Sequence, residues 1–87
     1  MAYNVSLKAS ALKSLGRLPR GIQGRVLSKT TELASNPRPP GCAKLRGAEN
    51  LWRVRVGEYR IVYFIDDAAE IVDVRIIAHR REVYRDL

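Results

Sequence analysis

The sequence predicts an α+β fold: an N-terminal strand and a two-helix hairpin, then a three-to-four-stranded antiparallel meander sheet with a short C-terminal helical tail. Three observations predict it. Apolar residues recur at helical spacing as far as Ser35 and at a period of two from Leu51 onward. Pro19 divides the helical stretch, and Asn36-Pro37 closes it. Gly57-Glu58 and the segment from Asp66 to Ala69 are short enough to turn hairpins.

Taken in order, Tyr3, Val5 and Leu7 alternate with smaller or polar residues and read as a first strand. Leu7, Ala11, Leu12, Leu15 and Leu18 follow helical spacing, so a first helix runs to about Leu18. A second runs from Arg20 to Ser35, with Ile22, Val26, Thr30 and Leu33 on one stripe. Pro37 to Gly41 is a stiff loop. Lys44 to Arg46 suits a short edge segment and Gly47 to Asn50 a turn. The strands Leu51 to Val56, Tyr59 to Asp66 and Glu70 to Ala78 follow, and His79 to Leu87 is a charged tail with room for a turn or two of helix.

The 87 residues suit one domain with a modest core. Hydrophobic content of 46% fits a folded chain. The lone Cys42 permits no internal disulfide and fits a reducing cytoplasm. No apolar run reaches membrane-spanning length, and Met1-Ala2-Tyr3-Asn4 does not read as a signal peptide, so no membrane partner is expected.

A net charge of +7 predicts attraction to polyanions, nucleic acid before acidic protein. Twelve of the sixteen cations are Arg, whose planar fork grips phosphate and stacks on bases. Residues 1–43 carry seven cations against Glu32 alone, whereas residues 44–87 carry nine against eight acids. Basicity as such therefore belongs to the helical hairpin. Lys13 with Arg17, and Arg25 with Lys29, are like-charged pairs four apart, each costing a helix about 0.2–0.5 kcal/mol. Such a face suits docking onto phosphates, and equally a seat for an acidic protein.

One His, one Cys and no ligand spacing argue against a zinc site, and neither a phosphate-binding glycine loop nor a Ser-His-Asp set is present. No cofactor is expected. Asp66-Asp67 has the composition of a metal-ligand pair, but adjacent acids at a hairpin turn are ordinarily turn residues. What remains is arginine on strands. In Trp52-Arg53-Val54-Arg55-Val56 the alternation puts both arginines on one face, either as a solvated surface or beneath an anion. Arg60 lies in the apolar run Tyr59-Arg60-Ile61-Val62-Tyr63-Phe64-Ile65, where a lone cation is paired with a carboxylate or aimed into a site.

Together, Lys44-Leu45-Arg46-Gly47, Trp52-Arg53-Val54-Arg55, Glu58-Tyr59-Arg60-Ile61-Val62-Tyr63 and His79-Arg80-Arg81-Glu82-Val83-Tyr84 resemble the RelE branch of the RelE/ParE toxin superfamily. The likeness spans the chain. It implies a type II toxin–antitoxin system whose toxin enters the ribosomal A site on the small subunit and cuts messenger RNA there, held in check as a hetero-oligomer with a RelB-like antitoxin. It further implies catalytic roles for Arg53, Arg55, Arg60, Arg80 and Tyr84. Lys44, Arg46 and Arg81, with Lys13, Arg17, Arg25 and Lys29 of the helices, are the expected contacts to messenger and ribosomal RNA.

The chemistry fits this set. Internal cleavage of RNA needs the 2′-OH deprotonated, the pentacoordinate phosphate stabilised and the leaving 5′-oxygen protonated. Arginine supplies the second need without a metal. The best-known RelE members carry Lys at the strand pair, whereas Arg53 and Arg55 stay protonated and cannot act as bases. Proton transfer then falls to Tyr84, to His79 or to the ribosome, with His79 open to the simpler role of ending the last strand. Two other readings stand beside the nuclease: a ParE-like toxin acting on DNA gyrase, and an inactive, antitoxin-binding homologue.

Overall fold

The computed structural model describes residues 2–83. Along the chain lie β1 (Asn4–Leu7), α1 (Ala9–Arg17), α2 (Arg20–Ser35), β2 (Ala43–Lys44), β3 (Leu51–Val56), β4 (Tyr59–Asp66) and β5 (Ile71–His79). The expected helical hairpin and meander are present. The sheet differs: it has five strands in the order β1-β5-β4-β3-β2, and β1 joins it parallel to β5. The expected antiparallel meander thus becomes the larger part of a mixed sheet. Joining β5 pairs backbone groups that an open edge would leave to solvent and adds Val5 and Leu7 to the core periphery.

Element ends follow from side-chain chemistry. Leu7 belongs to β1 rather than to α1, because its backbone continues the ladder opposite Val74. Pro19 has an extended backbone and stands just ahead of α2, where its missing N–H costs nothing. Gln23 Nε2 donates to the Gly16 and Leu18 carbonyls at 3.1 and 2.9 Å, satisfying orphan acceptors at the end of α1 and locking the hairpin. Glu70 takes φ 55, a turn conformation, so the last strand begins one residue later than its composition suggests. Residues 80–83 form a turn rather than helix, and the remainder of the expected tail lies outside the described residues.

Both helices cover one face of the sheet. Ala11, Val26 and Leu33 pack against Val54, Val56, Ile61, Tyr63, Ile65, Val72, Val74 and Ile77. The spacing of that last pair breaks the period of two. Tyr63 pairs with Val74 and Val62 with Ile76, leaving Arg75 as an extra residue in a β-bulge. The bulge reverses the phase of β5 beyond it. Ile77 and His79 therefore face the helices, while Ile76, Ala78 and the position of Arg80 fall on the opposite face.

The loop after α2 is pinned to the sheet. Tyr63 Oη, buried, donates to the Pro37 carbonyl at 2.7 Å, and burial pushes its phenol well above the usual tyrosine value. Arg38 grips Asp67 with two hydrogen bonds of 3.1 and 2.9 Å and lies 4.9 Å from the centre of the Trp52 ring. Tyr3 Oη donates to the same carboxylate at 2.7 Å, tying the N-terminal segment to the β4–β5 turn.

Candidate active site

The face of the sheet turned away from the helices carries the strand arginines. Alternation along β3 sends Trp52, Val54 and Val56 to the core and Arg53 and Arg55 outward. Across the β3–β4 ladder Arg55 stands directly opposite Arg60, and Arg53 opposite Val62. Like charges in directly opposed positions destabilise a sheet, and nothing in the fold requires them. Val62 is fully buried between these cations, yet it stands apart from the helix-side core. The site therefore has an apolar floor.

The three guanidinium groups differ in their partners. Arg60 is half-buried, and its Nη1 donates to the carbonyls of Gly57 and Tyr59 at 3.1 and 3.0 Å. Of its two expected environments, the structure gives no carboxylate partner among the described residues. Arg53 Nη1 is buried and, among the described residues, has no acceptor. A buried charged donor without an acceptor costs about 1–3 kcal/mol or more and is rare in native folds. Arg55 is exposed. These groups offer charge-assisted donors to an external anion.

Arg80 reaches the rim of this face. Its backbone N–H donates to the Glu58 carbonyl at 2.8 Å, and its Nε lies 2.6 Å from Glu58 Oε2. His79 points the other way. Its ring packs edge-on to Tyr59 at 5.5 Å on the helix side, and its Nδ1 accepts a hydrogen bond from the Arg81 N–H at 3.2 Å. His79 thus ends β5 with its ring against Tyr59, and it lines a groove that also reaches Val62 and Ala78. Arg81 is exposed, and Tyr84 lies outside the described residues.

The remaining expected RNA contacts are spread widely. Lys44 is opposite Trp52 at the sheet margin, and Arg46 is exposed in the turn that follows. Lys13, Arg17, Arg25 and Lys29 lie on the helices, across the sheet from Arg53, Arg55 and Arg60. Lys29 pairs with Glu32 at 3.0 Å. Arg17 borders a groove of about 860 Å³ between α1 and the far half of β5, shared with Lys8, Arg75 and His79. Arg25 extends toward the β3–β4 turn, where a Cβ on Gly57 would meet its Nη1 at 3.4 Å.

The adjacent acids have ordinary roles: Asp66 caps the β4–β5 turn through the Ala69 N–H, and Asp67 holds Arg38. Hydrogen bonds from Arg38 first, then Tyr3, hold the Asp67 carboxyl below the usual carboxylate range. No cluster of three potential metal ligands occurs among the described residues. Sequence reading missed Glu58 and Arg38 as organising residues. Neither was legible in the sequence: the register that pairs Tyr59 with His79, and so sets Glu58 beside Arg80, is decided by the folded sheet, and Asp67 is remote in sequence from Arg38.

Comparison with known proteins agrees with this fold. A family model described as the ParE toxin of type II toxin–antitoxin systems matches residues 5–84. Toxin RelE of Mycobacterium tuberculosis is 36% identical over 84 residues, covering 95% of this chain and 87% of that protein. The putative toxin RelE1 of Methanocaldococcus jannaschii is 28% identical over 99% of both chains. Among solved structures, the archaeal RelE–RelB complex from Pyrococcus horikoshii superposes with a TM-score of 0.82 at 27% identity, covering 92% of this chain and 97% of that one. The intact RelBE toxin–antitoxin complex of E. coli gives 0.79 at 26% identity, with 90% and 96% coverage. No helix of the described residues is long and apolar enough to cross a membrane. A RelE-like fold, the family match along nearly the whole chain and the close kinship to RelE proteins make this chain a type II toxin of the RelE/ParE superfamily, on its RelE side.

Proposed function

We propose that the protein is a ribosome-dependent messenger RNA endonuclease that cuts message in the ribosomal A site and so stops translation in the cytoplasm. The observation that carries the reading is the arginine face: Arg53, Arg55 and Arg60 on one side of β3 and β4, with Arg80 at the rim and a buried Arg53 donor that lacks an acceptor among the described residues. A scissile phosphate supplies the missing acceptor. As the 2′-oxygen attacks, negative charge grows on the phosphate, and fixed guanidinium donors bind that state more tightly than the ground state.

The P–O5′ bond breaks as the P–O2′ bond forms, leaving a cyclic phosphate and a 5′-hydroxyl. The proton leaving the 2′-OH and the one reaching the 5′-oxygen are moved by Tyr84 or by groups of the ribosome. This division follows from the fixed charge of arginine and from the turned-away ring of His79. Charge stabilisation by arginine makes a metal unnecessary to this step.

A RelB-like antitoxin is the expected partner, since the similar RelE proteins of Pyrococcus horikoshii and E. coli are found in complex with RelB. Release from it would let the basic helices meet ribosomal RNA.

Primer extension on a cell-free translation reaction tests the proposal. Message cut only when ribosomes are translating it, and intact with Arg60→Ala, is the expected result. Uncut message with inhibited gyrase supercoiling would establish a ParE-like activity instead, and no effect in either assay would establish an inactive, antitoxin-binding homologue.

A further inference from the structure

We infer that Glu58 is a positioning residue that acts through Arg80, fixing its guanidinium at the rim of the arginine face. The inference rests on the nuclease reading of that face. β5 ends at His79, so Arg80 is the first residue beyond the regular ladder. Left to itself, a long side chain at the start of a turn samples many rotamers and loses them only at a cost. Glu58 holds Arg80 at two points, the first fixing its backbone and the second its side chain. Its carbonyl accepts the Arg80 N–H at 2.8 Å, continuing the Tyr59–His79 register by one residue. Its carboxylate takes the Arg80 Nε at 2.6 Å.

The choice of nitrogen matters. Guanidinium presents five donors in a planar fork, and a contact through Nε fixes the plane while leaving both Nη groups to an incoming phosphate. The bulge at Arg75 sets the side of the sheet, since Ala78 lies opposite Arg60 and Arg80 follows in the same phase. Glu58 also supplies one negative charge beside a group of four guanidinium groups, offsetting part of their mutual repulsion before RNA arrives.

Stability does not account for the pair. The two side chains are 54% and 63% exposed, and an ion pair that open to water adds little to folding. Its effect should therefore appear in the rate rather than in the fold.

The full-length protein, expressed with its antitoxin and separated from it, provides the test. Single-turnover cleavage of a defined message on stalled ribosomes is measured for the wild type, Glu58→Ala, Glu58→Gln, Arg80→Ala and the double variant Glu58→Ala/Arg80→Ala. Glu58→Ala should lower the maximal rate by about 10–100-fold with KM for the ribosome complex unchanged, the scale expected when a catalytic group is misplaced. Glu58→Gln, which keeps an acceptor oxygen, should recover most of that loss. In the Arg80→Ala background Glu58→Ala should add nothing, because its effect passes through Arg80.

Nitrogen-15 spectra of the free protein report the clamp without reference to activity: the Arg80 Nε–H signal should be displaced from the position of the other exposed arginines in the wild type and return toward it in Glu58→Ala. A wild-type rate for Glu58→Ala, or an equal loss with and without Arg80, overturns the inference while leaving the nuclease intact. An inert wild type overturns both.

Discussion

The two faces of the sheet are built to different rules. On the helix side every inward position of β3, β4 and the first half of β5 is apolar, and Val26, Leu33, Ile61 and Val74 are fully buried. On the other side, like charges face one another across the ladder, and a buried charged donor, Arg53 Nη1, lacks an acceptor among the described residues, where the core side leaves only the neutral Trp52 Nε1 unpaired. The first face follows the general drive to remove hydrocarbon from water. The second departs from what stability alone would select, and such departures gather at functional sites. The departure runs along β3 and β4 from Arg53, opposite Val62, to the Arg55–Arg60 pair beside the β3–β4 turn.

This contrast can be broken first by truncating the core. Leu33→Ala removes a fully buried side chain of α2 and should cost about 2–5 kcal/mol in urea unfolding, with cleavage per folded molecule unchanged. Arg53→Ala is the converse. It deletes the buried unpaired donor, so single-turnover cleavage should fall about 10²–10³-fold while stability stays level or improves. A marked loss of stability in Arg53→Ala would make this residue structural and collapse the distinction between the faces.

A smaller effect separates docking from chemistry. Replacing Lys13 and Arg17 together by Gln should flatten the salt dependence of ribosome binding by about 0.7–0.9 in log–log slope for each cation that meets a phosphate. The maximal cleavage rate should be unchanged. An unaltered slope would remove the helices from RNA contact and leave them to the antitoxin.

The smallest effect concerns the clip around Asp67. Its carboxyl is held below the ordinary range by Arg38 and Tyr3, so it is depressed in the folded state. The stability it contributes is complete above the unfolded value of about 3.9 and is lost as pH falls through the folded value. Asp67→Asn should therefore flatten the acid limb of a pH–melting curve while leaving cleavage intact. The exposure of this carboxylate keeps the change small.

Much of this was legible in the chain. The period of two in Trp52-Arg53-Val54-Arg55-Val56 separated the faces of β3 correctly, and the apolar run around Arg60 belongs to the central strand, though the helices cover only one of its faces. Pro19 and Gly57-Glu58 marked real boundaries. Arg53, Arg55 and Arg60 share one side of β3 and β4, and Arg80 follows β5 beside Glu58. His79 reads as a companion of Arg80 in sequence, yet adjacent strand residues point to opposite faces, and its ring went to Tyr59.

The sequence by itself therefore determined the elements, the face each side chain of β3 and β4 would take, and the concentration of charge on the helices. These depend on local periodicity and turn chemistry, which neighbouring residues carry. Tertiary structure alone decided that β1 would pair with β5, that Arg75 would bulge, and that Glu58 would meet Arg80. Each joins segments far apart in the chain, and the cost of closing such loops is recovered only when the whole sheet forms. The bulge shows the reason most directly. One extra residue, set by the register against β4, reverses every side chain beyond it and puts Arg80 on the face where the other arginines wait.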